Sequence, residues 1–131
     1  MVLKGSYYAG KMNSVKPEYR DTCFYGVGSD IPGPFWSSRE AGEKCKTALA
    51  VSDEAYKQCV IGGMSFLVQI NVGDPKAAVE YCDTVLPKFK DACYKAAGEG
   101  LRDWLGPGEK LAEKCKSFGD EHSISVCLNG K

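Results

Sequence analysis

Small and apolar side chains recur every three or four positions through the stretch 87–105. The series is Phe89, Ala92, Cys93, Ala96, Ala97, Gly100, Leu101, Trp104 and Leu105. This spacing predicts a helix with one buried face. Because small residues dominate that face, we expect neighbouring backbones to approach it closely. The stretch 59–72 is apolar nearly all round, which is typical of a central helix covered on several sides.

Local start signals predict where the other helices begin. Ser37 and Glu40 fit a capping box, in which each side chain bonds to the backbone N–H of the other residue. Asp74-Pro75 supplies a cap followed by a residue tolerated at the first helical position. Ser52 precedes two acidic residues that suit the positive end of a helix. Periodicity and caps together predict helices at 17–29, 38–48, 53–72, 75–85, 87–105, 108–117 and 120–128.

The cysteines divide these helices into two alternating kinds. They are Cys23, Cys45, Cys59, Cys82, Cys93, Cys115 and Cys127. The odd-numbered members of this series recur after 36, 34 and 34 residues and the even-numbered members after 37 and 33. Such a period is typical of stacked two-helix units. The sequence therefore predicts an all-α fold of about three and a half antiparallel helix hairpins, with period 34–37, stacked as a short disulfide-stapled solenoid. An N-terminal arm at 1–16 precedes a single helical-repeat domain at 17–131.

Periodic placement of the cysteines favours a disulfide framework and hence an oxidising compartment. The alternative is a cytosolic repeat protein in which the cysteines are small buried residues. Two connectivities fit an antiparallel stack in which bridged Cα atoms lie ~5.5 Å apart. Pairing within hairpins joins Cys23 with Cys45, Cys59 with Cys82 and Cys93 with Cys115, and leaves Cys127 over. Pairing across the short connections joins Cys45 with Cys59, Cys82 with Cys93 and Cys115 with Cys127, and leaves Cys23 unpaired or intermolecular.

We favour the second connectivity because of the C-terminal half-repeat. Residues 120–131 have no second helix to cover them, and a bridge from Cys127 to Cys115 would hold them in place. The segment Met1–Ser6 lacks the apolar run of a signal peptide. A chain that begins with this segment is either a cytosolic protein or the mature or truncated form of a protein. The cysteines favour an extracellular or periplasmic protein.

Charge narrows the kind of partner that we expect. Seventeen basic and seventeen acidic residues give a formal net charge of zero. Because no block of like charge is present, the sequence offers no electrostatic footprint for nucleic acid or an anionic membrane. The apolar stretch 59–72 is shorter than the ~20 residues that a membrane span needs. We therefore expect the chain to bind a protein partner or to associate with itself.

Little in the sequence points to catalysis. His122 lies near Cys127, so a thiol-dependent enzyme is conceivable, but a lone histidine in a terminal half-repeat is usually a solvated side chain. No two cysteines are closer than 11 residues, whereas structural zinc sites use pairs two to four residues apart. A phosphate-binding glycine loop is also missing from the sequence. We therefore expect no catalytic residue, metal or cofactor.

Paired helices at a period near 34, carrying regularly placed cysteines, resemble the tetratricopeptide superfamily and its cysteine-rich Sel-type relatives. The resemblance covers residues 17–128. It implies a secreted helical solenoid stapled by disulfides, with a role in binding or assembly. No catalytic residue can be carried over from it.

Three aromatic residues are the candidates for partner binding. Phe35, Trp36 and Trp104 lie at turns predicted at the end of the stack opposite the cysteines, and large aromatics on rigid loops are typical binding anchors. Structural roles compete with this hypothesis. Trp36 immediately precedes a helix cap and would form a hydrophobic staple against Ala41. Trp104 continues the series of the helix at 87–105, which predicts that it is buried.

Self-assembly is the alternative to a monomeric binding module. The predicted array begins and ends with uncovered helices, and open complementary ends favour head-to-tail stacking into a filament. The N-terminal arm, with Tyr7, Tyr8 and Met12, would instead cover one end. A net charge of zero does not oppose association.

Overall fold

The computed structural model describes residues 37–71 and 74–130, which contain six α-helices. The helices are α1 Ser38–Cys45, α2 Asp53–Ile70, α3 Lys76–Thr84, α4 Lys90–Leu105, α5 Glu109–Cys115 and α6 Glu121–Asn129. These residues contain no strand, so the predicted all-α class is confirmed for them. The predicted helix at 17–29 and the arm at 1–16 lie outside the described residues.

The predicted start signals form as expected in two cases and with a shift in the third. Ser37 and Glu40 make the capping box, with the Glu40 N–H donating to Ser37 Oγ over 3.1 Å. Ser52 Oγ accepts from the N–H of Ala55 over 3.0 Å. Asp74 Oδ1 accepts from the N–H of Lys76 over 3.0 Å, and α3 therefore starts one residue after Pro75.

Three predicted helices are shorter than the sequence indicated, because an end of each is a 3₁₀ turn. These turns span Lys46–Ala50, Pro87–Phe89 and Lys116–Phe118. Tighter 3₁₀ bonding is a common way to satisfy the backbone groups at a helix end. Pro87 also has no N–H to continue a helical ladder.

Three of the described helices pack in a row. α2 packs against α4, and α4 packs against α6, while α1 packs against α3. Tyr56 and Tyr81 are the bulkiest fully buried side chains of the core. The Tyr81 hydroxyl donates to the carbonyl of Val60 over 3.1 Å, and the Tyr56 hydroxyl accepts from the N–H of Leu86 over 3.0 Å. These two hydrogen bonds tie α2 to α3 and to the turn that follows it.

Glycines permit the close approaches expected of the small-residue faces. At Gly98 of α4 an added Cβ would overlap the backbone carbonyl of Cys127 in α6. At Gly100 it would lie 3.1 Å from Val68 Cγ1 of α2. Both neighbours of α4 therefore rest directly on its backbone.

Three disulfides bridge consecutive parts of the chain. They join Cys45 with Cys59, Cys82 with Cys93 and Cys115 with Cys127, with Cα separations of 5.6, 5.7 and 5.7 Å. This is the set that crosses the short connections, and it differs from pairing within hairpins. All six cysteines are fully buried. The seventh, Cys23, lies outside the described residues.

The predicted burial of Trp104 is wrong, since 60% of this residue is exposed. Cys93, Ala97 and Leu101 of the same series are buried. Trp104 lies in the last turn of α4, and the neighbouring helix α2 ends at Ile70, which is itself 57% exposed. The helical period continues to residue 104, but the packing that would cover the indole does not.

Candidate functional site

Of the predicted partner-binding residues, Trp104 is the one that the structure describes. It stands on the surface at the C-terminal end of α4. Phe35 and Trp36 lie outside the described residues. His122, the candidate for thiol chemistry, places Nε2 2.9 and 3.0 Å from the carboxylate oxygens of Asp91. Cys127 is bonded to Cys115, so it offers no thiol to His122.

Trp104 borders a cleft of about 230 Å³ between α2 and α4. The other lining residues are Ser65 and Gln69 from α2 and Ala96, Glu99, Gly100 and Asp103 from α4. Ala96 and Gly100 have almost no side chain to fill the space. A space therefore remains between α2 and α4. Polar side chains line this space, and the Trp104 indole lies at one edge.

The charge in this cleft is of one sign. Glu99 and Asp103 are exposed and stand one turn apart on the same face of α4. No ion pair to either carboxylate is present within residues 37–71 and 74–130, and the lining contains no Lys, Arg or His. Two exposed carboxylates therefore lie beside an exposed aromatic ring.

A larger groove of about 580 Å³ lies along α2, α4 and the end of α6. Its apolar residues are Ile61, Phe89, Ala92, Ala96 and Val126, and its charged residues are Glu54, Lys57, Lys88, Asp91, Lys95 and Glu99. Several of these charges are already bonded: Lys88 Nζ lies 2.9 Å from Asp53 Oδ2, and Asp91 pairs with His122. Phe89 is half-buried and packs edge-on against Tyr56. The groove has mixed charge and no large exposed apolar anchor, so the Trp104 cleft is the stronger candidate.

The clear pKa shifts have structural causes. Burial raises the pKa of Tyr81, and burial is also the main reason that the pKa of Tyr56 is raised. Hydrogen bonds from the backbone and side chain of Ser123 lower the pKa of Asp120, which caps α6. None of these three side chains lines the cleft or the groove.

Sequence reasoning identified Trp104 but missed the two carboxylates beside it. Glu99 and Asp103 are four residues apart on a predicted helix, a spacing that places them on one face. This spacing is readable from the sequence. The cleft beside this face is not, because α2 forms its other side.

Other signs of a known site are missing from the described part of the chain. It contains no group of three or more His, Cys, Asp or Glu side chains that could hold a metal ion. Among the described helices none is both long and apolar enough to cross a membrane.

Comparison of the chain with protein-family models, with curated proteins and with solved structures finds no match in any of the three.

Proposed function

We propose that this chain is a non-enzymatic, secreted binding module, in which disulfide-stapled helical repeats present a protein-recognition surface centred on Trp104. The observation that carries the proposal is the exposure of this indole beside an open cleft. Trp is among the residues that contribute most binding energy when a protein partner buries them.

A second exposed apolar residue lies at the end of the neighbouring helix α2. Ile70, at the end of α2, is 57% exposed and directly follows Gln69, which lines the cleft. A partner that covered Trp104 and Ile70 would remove both side chains from water.

The scaffold behind this surface is stiff. Cys59 of α2 and Cys93 of α4 each form a disulfide with the preceding helical segment. These bridges tie α2 to α1 and α4 to α3, at a level far from Trp104 along α4. A surface held in one conformation loses little entropy on binding, which favours affinity.

The same bridges support the proposed location outside the cytosol. Disulfides persist in oxidising compartments such as the extracellular space and the periplasm. The row formed by α2, α4 and α6 supports the repeat architecture, since equivalent helices of a solenoid contact their next equivalent.

Affinity capture tests the binding role. We would immobilise the oxidised full chain, recover interacting proteins from the extracellular fluid of the source organism, and measure the affinity of each by calorimetry. Trp104→Ser is expected to weaken binding of the true partner by about 30-fold, the loss of ~2 kcal/mol typical of an aromatic anchor. Lys110→Ser, an exposed change on α5, is the matched control and should leave binding unchanged.

Stability measurements keep this test interpretable. Because Trp104 is mostly exposed, Trp104→Ser should change the free energy of unfolding by no more than about 0.5 kcal/mol. Partners that bind the Trp104→Ser and wild-type chains equally well would overturn the proposed surface.

A further inference from the structure

The formal charge of zero conceals an uneven distribution along the chain. Residues 1–16 contain Lys4, Lys11 and Lys16 and no acidic residue. Three of the seventeen basic residues thus lie in this segment, and residues 17–131 carry fourteen basic and seventeen acidic ones. The chain therefore joins a cationic N-terminal segment to an anionic remainder.

The Trp104 cleft has the chemistry that recognises such a segment. Glu99 and Asp103 are spaced one helical turn apart, so their side chains reach a common point where one lysine ammonium can contact both. The face of the Trp104 indole also attracts cations. No positive side chain lines the cleft itself, and Lys95, one helical turn before Glu99 on α4, lines the adjoining groove.

We propose that the Trp104 cleft binds residues 1–16 of a second copy of this chain. The proposal rests on the proposed function, because it names the partner of the same surface. The segment and the cleft are different parts of the chain, so each copy carries one of each. Such a heterologous contact adds copies head to tail and gives an open assembly when the rotation does not close.

Sedimentation velocity of the oxidised full chain tests this proposal. We expect the average mass to rise above the 14.2 kDa monomer as concentration increases at low salt, and to fall toward it at high salt. Glu99→Gln with Asp103→Asn should weaken association at least about tenfold, as should Trp104→Ser. Glu109→Gln with Glu113→Gln, exposed carboxylates on α5, is the matched control and should leave association unchanged.

A charge swap gives the sharpest version. Replacing Lys4, Lys11 and Lys16 by Glu should abolish association, and adding Glu99→Lys with Asp103→Lys in the same chain should restore it. A synthetic peptide of residues 1–16 should dissociate the wild-type assembly, whereas the same peptide with its three lysines replaced by Glu should not. Circular dichroism of each variant checks that the fold is retained.

The outcomes separate this proposal from the proposed function. A chain that stays monomeric at every concentration, or an association that ignores the cleft substitutions, overturns binding of a second copy. If Trp104→Ser nevertheless abolishes capture of a different protein, the binding module stands with another partner. If Trp104→Ser affects neither association nor capture, both proposals fail.

Discussion

The hydroxyl group of Tyr81 is held in the core between α3 and α2. It donates to the carbonyl of Val60 and lies 3.6 Å from Cys45 Sγ, next to the bridge between Cys45 and Cys59. Ionising this phenol inside the core would place a charge where no water can solvate it. Burial therefore raises the pKa of Tyr81 above its ordinary value of about 10.

The first prediction concerns stability in alkali. The unfolded chain releases the Tyr81 proton near pH 10, while the folded chain retains it, so unfolding becomes easier as pH rises above about 10. The contribution of the buried Tyr81 phenol to the free energy of unfolding is fully present below pH ~10 and is lost as the pH rises above it. Urea unfolding across this range should show the free energy of unfolding falling less steeply for Tyr81→Phe than for wild type. At neutral pH the same variant should be about 1 kcal/mol less stable, because a buried hydrogen bond is lost.

Tyr56 acts in the same direction, since burial also raises its pKa. The matched control for Tyr81→Phe is therefore Tyr94→Phe, a half-buried tyrosine that packs edge-on against Phe118. This variant also removes one tyrosine hydroxyl but leaves the buried Tyr81 in place, so the contribution of Tyr81 to the alkaline profile should be retained. Equal slopes for Tyr81→Phe and wild type would show that the Tyr81 phenol does not resist ionisation.

The second prediction concerns the cap of α6 in acid. Asp120 accepts hydrogen bonds from the N–H and hydroxyl of Ser123 over 2.9 and 2.7 Å, which lower its pKa. A lowered pKa means that the capping contribution is present above the ordinary value near 4 and is lost as pH falls through and below it. The protection factors of the α6 amides, which correct for the intrinsic pH dependence of exchange, should therefore fall in acid for wild type. Asp120→Asn keeps a capping side chain without this titration, so its α6 protection factors should depend less on pH.

At the scale of the helices, the sequence correctly predicted features that depend only on residues close together in the chain. The capping box of Ser37 and Glu40 formed because its partners are three residues apart. Burial of Trp104 was mispredicted because it depends on where α2 ends, and a helical period contains no such information. The 3₁₀ turn at Lys46–Ala50 likewise follows from how the chain turns into α2.

The third prediction tests the contact between α4 and α6. Gly98→Ala would push a methyl group into the carbonyl of Cys127, and backbone cannot move aside cheaply. We expect the free energy of unfolding to fall by about 1–3 kcal/mol, the usual cost of overpacking. Gly100→Ala is the matched control, because its Cβ would lie 3.1 Å from Val68 Cγ1, so the neighbour would have to move by only a few tenths of an ångström. Helix propensity alone predicts that both changes stabilise by about 1 kcal/mol, so a more stable Gly98→Ala variant would contradict the close approach.

For the whole molecule, the sequence reduced the disulfide pairing to two sets, and the structure has the set across the short connections. Both sets of bridges are consistent with the predicted repeat, because that repeat places every cysteine at the same end of the helix stack. The choice depends on which Cα atoms come within 5.7 Å, which is a property of helix packing. The cleft was missed for a similar reason: Glu99 and Asp103 belong to α4, but Ser65 and Gln69 come from α2.

The last prediction separates the terminal disulfide from the central ones. Cys115 and Cys127 hold α6. Its other polar contacts with α4 include the hydrogen bond from Arg102 to the Leu128 carbonyl and the hydrogen bond between His122 and Asp91. Replacing both cysteines by Ser removes a closed loop worth ~3 kcal/mol in the chain-entropy model. Since α6 packs on one neighbour of the row, α4, we expect this loss to appear as local opening. Amide exchange should accelerate in α6 while α2 and α4 stay protected.

The matched variant is Cys45→Ser with Cys59→Ser, which releases α2 in the middle of the core. Because α2 contacts α1, α3 and α4, its loosening should lower protection throughout the described helices and reduce the free energy of global unfolding. Equal loss of protection in α2 and α4 from both double variants would mean that the six helices open as one unit. In that case the terminal bridge would stabilise the Trp104 cleft as strongly as the central bridges do.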